Sequence, residues 1–138
     1  MKLTSIFPLL TIMMIALSCQ PKAQQATGEN SSPAAQSPYT NLSVTEFDKM
    51  MHDKDVVVLD VRTPQETALG KIEGAIEIDV TDPSFAQKAS QLDKNKTYLV
   101  YCRSGRRSVA ACSTMAEQGF GHLYNLVGGY TAWSTEKH

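Results

Sequence analysis

The sequence has little of anything that would announce a class outright. It holds three cysteines in 138 residues, too few and too scattered for a disulfide scaffold, and none stands with histidine at zinc-ligand spacing. Neither sign of charge dominates: 13 basic side chains face 14 acidic ones, a formal net charge of -1. A generic nucleic-acid footprint needs a net basic face, so no nucleic-acid partner is expected. No glycine-rich loop carries a lysine, which removes the usual nucleotide-phosphate cradle. There is no internal repeat, and 138 residues leave no room for two full cores. Nothing calls for a metal or any other cofactor.

Composition is uneven along the chain. Met1-Lys2 is a short positive start, and eleven of the fifteen residues from Leu3 to Leu17 are Leu, Ile, Phe, Met or Ala. A membrane span takes about 20 apolar residues, so this stretch has the length and flanks of a secretory signal instead. It ends in Ala16-Leu17-Ser18-Cys19, which resembles the lipobox of bacterial lipoproteins. That likeness implies cleavage after residue 18, acylation of Cys19 and attachment to the cell envelope, facing the periplasm or the outside. Gln20 to Pro38 is rich in Gln, Ala, Ser and Pro with almost no large apolar side chains. Such a segment cannot bury enough surface to offset its ordering entropy, so residues 19–40 are expected to be a flexible tether. The folded domain is expected over 41–138, and as a monomer.

Within that domain, strand and helix signals alternate. Ser43-Val-Thr-Glu46 is a capping box followed by Phe47, Met50 and Met51 at helical spacing. Val56 to Val61 is a continuous apolar run of strand length, as expected of a strand covered on both faces. Ala75 to Val80 alternates Ile76, Ile78 and Val80 with Glu77 and Asp79, predicting a strand nearer an edge. Asp82-Pro83 predicts a helix start, with the helix running to about Leu92. Thr97 to Tyr101 predicts a second buried strand, Arg107 to Gln118 a helix stopped by Gly119, and His122 to Leu126 a last strand. Gly128-Gly129 then leads into a terminal helical turn containing Trp133. Alternating strands and helices imply an α/β fold with a mostly parallel central sheet and helices on both faces.

In such sheets ligands bind beyond the carboxyl ends of the strands. Cys102 stands at that end of the strand Thr97–Tyr101, and Arg103, Ser104, Gly105, Arg106, Arg107 and Ser108 lead from it into a helix. Amides at a helix start lack intrahelical partners and can bind an anion, and Gly105 lets the backbone turn there. Three of the four arginines of the chain lie in this loop, and the fourth, Arg62, follows the other buried strand. Helix-end potential and arginine charge both favour thiolate at Cys102, making it nucleophilic at neutral pH. Asp60 and Arg62 are placed to pair and brace the pocket. Cys112 shares a helical face with Val109 and Ala116 and is read as a core residue rather than a resolving thiol. His52 and His122 are isolated.

Cys102-Arg-Ser-Gly-Arg-Arg-Ser108 resembles the active-site loop of single-domain rhodanese-type sulfurtransferases. The likeness covers about Leu42 to Trp133 and includes Val58-Leu-Asp-Val-Arg62, Thr63-Pro-Gln-Glu66, Gly70-Lys-Ile-Glu-Gly-Ala75, and Gly128-Gly129 with Trp133. Lys71 stands where the family usually carries a histidine. The resemblance implies a rhodanese-like fold and a Cys102 nucleophile. It also implies a sulfane-sulfur donor such as thiosulfate, a persulfide intermediate, and a thiol or cyanide as acceptor. Arg103, Arg106 and Arg107 suit a dianionic donor, with Arg107 favoured to point inward because it closes the loop.

Two other functions are weighed. A phosphatase or arsenate-reductase loop of this architecture places an arginine after five intervening residues, a position held here by Ser108. The loop therefore lacks that electrostatic clamp. A non-catalytic rhodanese-like module would use the loop for recognition alone, and whether Cys102 gains a sulfur from thiosulfate distinguishes the two.

Overall fold

The computed structural model describes residues 36–137; the signal segment, Cys19 and most of the expected tether lie outside the described residues. Five strands form one parallel sheet: β1 (Thr40–Leu42), β2 (Val56–Asp60), β3 (Ile76–Glu77), β4 (Thr97–Tyr101) and β5 (Leu123–Leu126). Their order across the sheet is β1-β5-β4-β2-β3, every neighbouring pair running parallel. Among the described residues four helices connect them, α1 (Val44–Met50), α2 (Pro64–Thr67), α3 (Phe85–Ala89) and α4 (Arg106–Glu117), and α5 (Gly129–Glu136) follows β5.

The two central strands read as continuous apolar runs because both of their faces are covered. Successive side chains go to opposite faces. Leu59 and Val61 of the β2 segment, with Tyr98, Val100 and Cys102 of the β4 segment, join Phe85, Ala111, Cys112 and Met115 on the α3–α4 side. Val58, Leu99 and Tyr101 join Phe47, Leu126 and Trp133 on the α1–α5 side. Trp133 packs edge-on against Phe47 at 5.9 Å, so the indole is a core anchor for the last helix. Cys112 is fully buried among apolar neighbours, which pushes its thiol up to about 12. That is the environment of a packing residue, not of a resolving thiol.

The capping box expected at Ser43/Glu46 forms, and the structure adds a second at Thr63/Glu66. Three expectations need correction. The strand expected over Ala75–Val80 shrinks to Ile76–Glu77, and Ile76 is exposed while Ile78 is buried. The segment still follows β2, with the Ile78 and Val80 amides donating to the carbonyls of Asp60 and Val61. An edge with one neighbour and few burial demands does not hold a long ladder. The helix expected from Asp82 to Leu92 is only Phe85–Ala89. Asp82 accepts instead from the Ser84 amide and hydroxyl at 2.8 and 2.7 Å, a local turn that delays the helix start. Finally, β1 begins at Thr40, inside the stretch read as tether, and pairs Thr40, Asn41 and Leu42 with Tyr124, Asn125 and Leu126.

Candidate active site

Cys102 leaves the end of β4, and α4 starts four residues later at Arg106. The intervening turn is tight because Gly105 sits at φ +93°, where a Cβ would lie 3.1 Å from the Leu126 carbonyl oxygen. The turn brings its donors onto one sulfur. The Gly105 amide donates to Cys102 Sγ at 3.2 Å, and Ser108 Oγ lies 3.4 Å from it. Burial alone would raise this thiol, since the residue is only 1% exposed. The Ser108 hydroxyl and the amides of Ser108, Ser104 and Gly105 outweigh that effect and hold Cys102 below the usual thiol range. Thiolate stabilisation is therefore mainly the work of the loop backbone and one hydroxyl, where the sequence pointed equally to arginine charge.

The arginines divide. Arg103 and Arg106 are exposed, and Arg103 lines the neighbouring cavity. Arg107, expected to point inward toward an anion, is committed to Glu66: its two terminal nitrogens donate to the carboxylate oxygens at 2.8 and 2.6 Å. It still feels the Cys102 charge. The Arg107 contact, foremost, with the Thr63 amide and hydroxyl, draws Glu66 down to about 2. One carboxylate thus caps α2 and anchors the start of α4. Glu66 entered the sequence reading only within a resemblance motif; neither its capping role nor its partner 41 positions away was read there.

Asp60 and Arg62 meet as a buried pair. Arg62 donates through Nε at 3.0 and 3.1 Å and through Nη2 at 2.7 Å to the Asp60 carboxylate, and Nη2 also reaches the Gly70 carbonyl at 2.8 Å. The guanidinium lies 4.1 Å from the Tyr130 ring centroid, so the residue is locked on two sides. Lys71 forms an ion pair with Glu77, which also accepts from Thr67 Oγ1 at 2.6 Å. A cavity of about 320 Å³, to which the loop contributes Arg103, opens between Arg62, Glu66, Leu69, Arg103, Tyr130 and Thr131. Among the described residues no three metal-ligating side chains cluster.

The rear wall of the loop is the start of α5. The Tyr130 and Thr131 amides donate to the carbonyls of Cys102 and Arg103 at 2.8 and 3.0 Å, and Thr131 Oγ1 reaches Arg103 O at 2.9 Å. The unpaired amides of one helix end thereby hold the backbone of Cys102 and Arg103. Asn125, at the back of Ser108, was missed by sequence reasoning because an isolated asparagine in a strand carries no motif.

The site can present one buried, ionisable sulfur to a small anion at a cationic rim. Comparisons with known proteins agree with that geometry. Residues 43–136 match the rhodanese-like domain family. A sulfurtransferase from Allochromatium vinosum is 36% identical over 86 residues, covering 62% of this chain and 78% of that protein. The rhodanese-like region also matches a longer protein, a tRNA uridine(34) hydroxylase of Cytophaga hutchinsonii, 37% identical over 70% of this chain but only 32% of that one. Among solved structures, a rhodanese-related protein from Thermoplasma volcanium superposes with a TM-score of 0.64 at 29% identity, covering 72% of this chain and 95% of that one. With its motif loop, its parallel sheet and a match over most of its folded length, the chain belongs to the rhodanese-like domain family.

Proposed function

We propose that the protein is a sulfurtransferase that takes sulfane sulfur from thiosulfate, or a similar small anionic donor, onto Cys102. The observation that carries the reading is the sulfur cradle: Cys102 Sγ faces the Gly105 amide and the Ser108 hydroxyl at the carboxyl end of β4. In the first half-reaction the thiolate attacks the outer sulfur of thiosulfate. A new S–S bond forms, the donor's own S–S bond breaks, and sulfite leaves with the electron pair. The loop amides then hold the negative persulfide as they held the thiolate. In the second half-reaction a thiolate or cyanide attacks the terminal sulfur, and Cys102 leaves as thiolate again. Two half-reactions predict ping-pong kinetics. The exposed Arg103 and Arg106 supply attraction for a dianion at the rim. Ser108 occupies the position where a phosphatase loop would carry its arginine, and a hydroxyl does not replace that charge.

The test is to treat the protein with thiosulfate and weigh the Cys102 peptide. Gain of one sulfur atom, and its loss on adding cyanide, supports the reading; Cys102→Ser abolishes both and leaves the folded spectrum intact. Absence of any added sulfur favours a non-catalytic binding module, and turnover of a phosphate ester at rates rivalling thiosulfate favours a phosphatase. We further propose that Cys19 is the acylated mature N-terminus and that the following residues tether the domain to the cell envelope. Mass spectrometry of the mature protein tests this, and an unmodified N-terminus beyond Cys19 refutes it.

A further inference from the structure

Behind Cys102 lies a continuous file of polar side chains of which the mechanism uses only the first. Ser108 Oγ is 3.4 Å from Cys102 Sγ and 2.6 Å from Asn125 Oδ1, and Asn125 Nδ2 is 2.9 Å from Asn41 Oδ1. Strand register lays the file down, since Asn41 and Asn125 are direct partners across β1 and β5. Its inner members, Ser108 and Asn125, are buried; Asn41 is exposed.

A hydroxyl has one proton and cannot donate to both of its neighbours. With the Asn125 amide oxygen turned to Ser108, the proton goes to the amide, and Ser108 Oγ is free to accept from a neutral Cys102 S–H. Once the thiol proton has left to water, the charged sulfur becomes the stronger acceptor and draws the Ser108 proton to itself. Ser108 Oγ and Asn125 Oδ1 would then face each other at contact distance with no proton between them. Rotating the amide removes the conflict: Asn125 Nδ2 donates to Ser108, and Oδ1 accepts from an equally rotated Asn41. Asn41 is solvent-exposed, so its rotation strands no buried group.

We propose that Asn125 is a positioning residue whose amide reverses its hydrogen-bonding sense when Cys102 ionises, so that Ser108 donates to the sulfur. An amide suits this place because it accepts in one orientation and donates in the other. The Ser108 hydroxyl is the leading contact that lowers the Cys102 thiol, which agrees with this arrangement. The charged groups around the sulfur lie elsewhere. Arg107 of α4 is paired to Glu66 of α2 and sees Asp79 beyond β3, Arg62 is paired to Asp60 at β2, and Arg103 and Arg106 are exposed to solvent. None of these touches the file, so substitutions at Asn125 leave them in place.

The inference rests on the proposed function only in extending the same donation to the persulfide; the ionisation step can be read without any sulfur donor. The full chain is alkylated with iodoacetamide across pH and the Cys102 peptide is followed by mass spectrometry. Ser108→Ala is expected to raise the midpoint by about one unit, roughly 10-fold less thiolate at neutral pH. Asn125→Leu is expected to raise it in the same direction, and to add nothing in the Ser108→Ala background. A midpoint that stays or falls in Asn125→Leu, or an equal shift with and without Ser108, overturns the proposal. Should Asn125→Leu fail to fold, Asn125→Asp keeps the shape with an acceptor-only group. It is expected to shift the midpoint more when Ser108 is present than when it is not, and equal shifts overturn the proposal as well. Failure to accept sulfur from thiosulfate would refute the proposed function while leaving this double-mutant cycle readable.

Discussion

Gly129→Ala is the substitution for which the structure supplies the most complete prediction. Gly129 opens α5 at φ +57°, and a Cβ there would lie 2.4 Å from the Cys102 carbonyl oxygen and 2.6 Å from Arg103 C. Both are backbone atoms of the Cys102 loop, so no side-chain rotation relieves the overlap. Separation must increase by about 1 Å to reach ordinary contact, enough to break three bonds: Tyr130 N–H to Cys102 O, and the Thr131 amide and hydroxyl to Arg103 O. Each is worth about 1 kcal/mol, and left-handed backbone at alanine adds about 1–2 kcal/mol. The expected loss is about 4–5 kcal/mol, at the diagnostic end of single-substitution effects. For a domain of this size that lowers Tm by roughly 15 °C or more. Gly119→Ala is the control. It has φ +92° but no heavy atom within 4 Å of its would-be Cβ, so it carries only the strain, about 1–2 kcal/mol. Urea unfolding of both variants measures the difference, and Cys102 alkylation should slow only in Gly129→Ala, because only that change displaces the loop. Equal destabilisation of the two would refute the close-approach argument.

Further outcomes follow from the same geometry. Because Glu66 is lowered from its usual 4.5 to about 2, its contribution to stability is fully present above about pH 4.5 and is lost as pH falls toward 2. Glu66→Gln should therefore cost about 1–2 kcal/mol at neutral pH, allowing for partial solvent screening, and flatten the acid limb of a stability–pH curve; an unchanged limb would contradict the assignment. Cys112→Ser should cost about 1–3 kcal/mol by burying a hydroxyl among apolar neighbours, with no change in thiosulfate turnover; altered turnover would restore a redox role. The Cys102 thiol, held low by its loop donors, should alkylate with a midpoint below the ordinary thiol value of about 8.5. A midpoint above it would mean that burial wins.

Local chemistry explains what was readable in advance. The apolar runs at Val56–Val61 and Thr97–Tyr101 could only be doubly covered strands, and the capping box at Ser43/Glu46 names its partners within four residues. The loop from Cys102 to Ser108 is likewise contiguous, so its donors were visible as residues. Less legible were elements decided by weak edges: β1 is three residues with one neighbour, and β3 shortened where only β2 was there to hold it. A short turn at Asp82 outcompeted a proline-led helix start, a contest between local options that no pattern ranks.

The sequence by itself determined the class and the place of the cysteine loop between β4 and α4, because both depend on periodicity or on residues adjacent in the chain. Tertiary structure alone decided what the polar groups do with one another. It turned Arg107 from a free cation into the partner of Glu66, gave the Cys102 carbonyl to the Tyr130 amide, and set Asn125 behind Ser108. Those pairings join residues 41, 28 and 17 positions apart. Such contacts follow from how strands register and helices dock, and in a low-dielectric interior they govern where a proton rests on the sulfur and its neighbours.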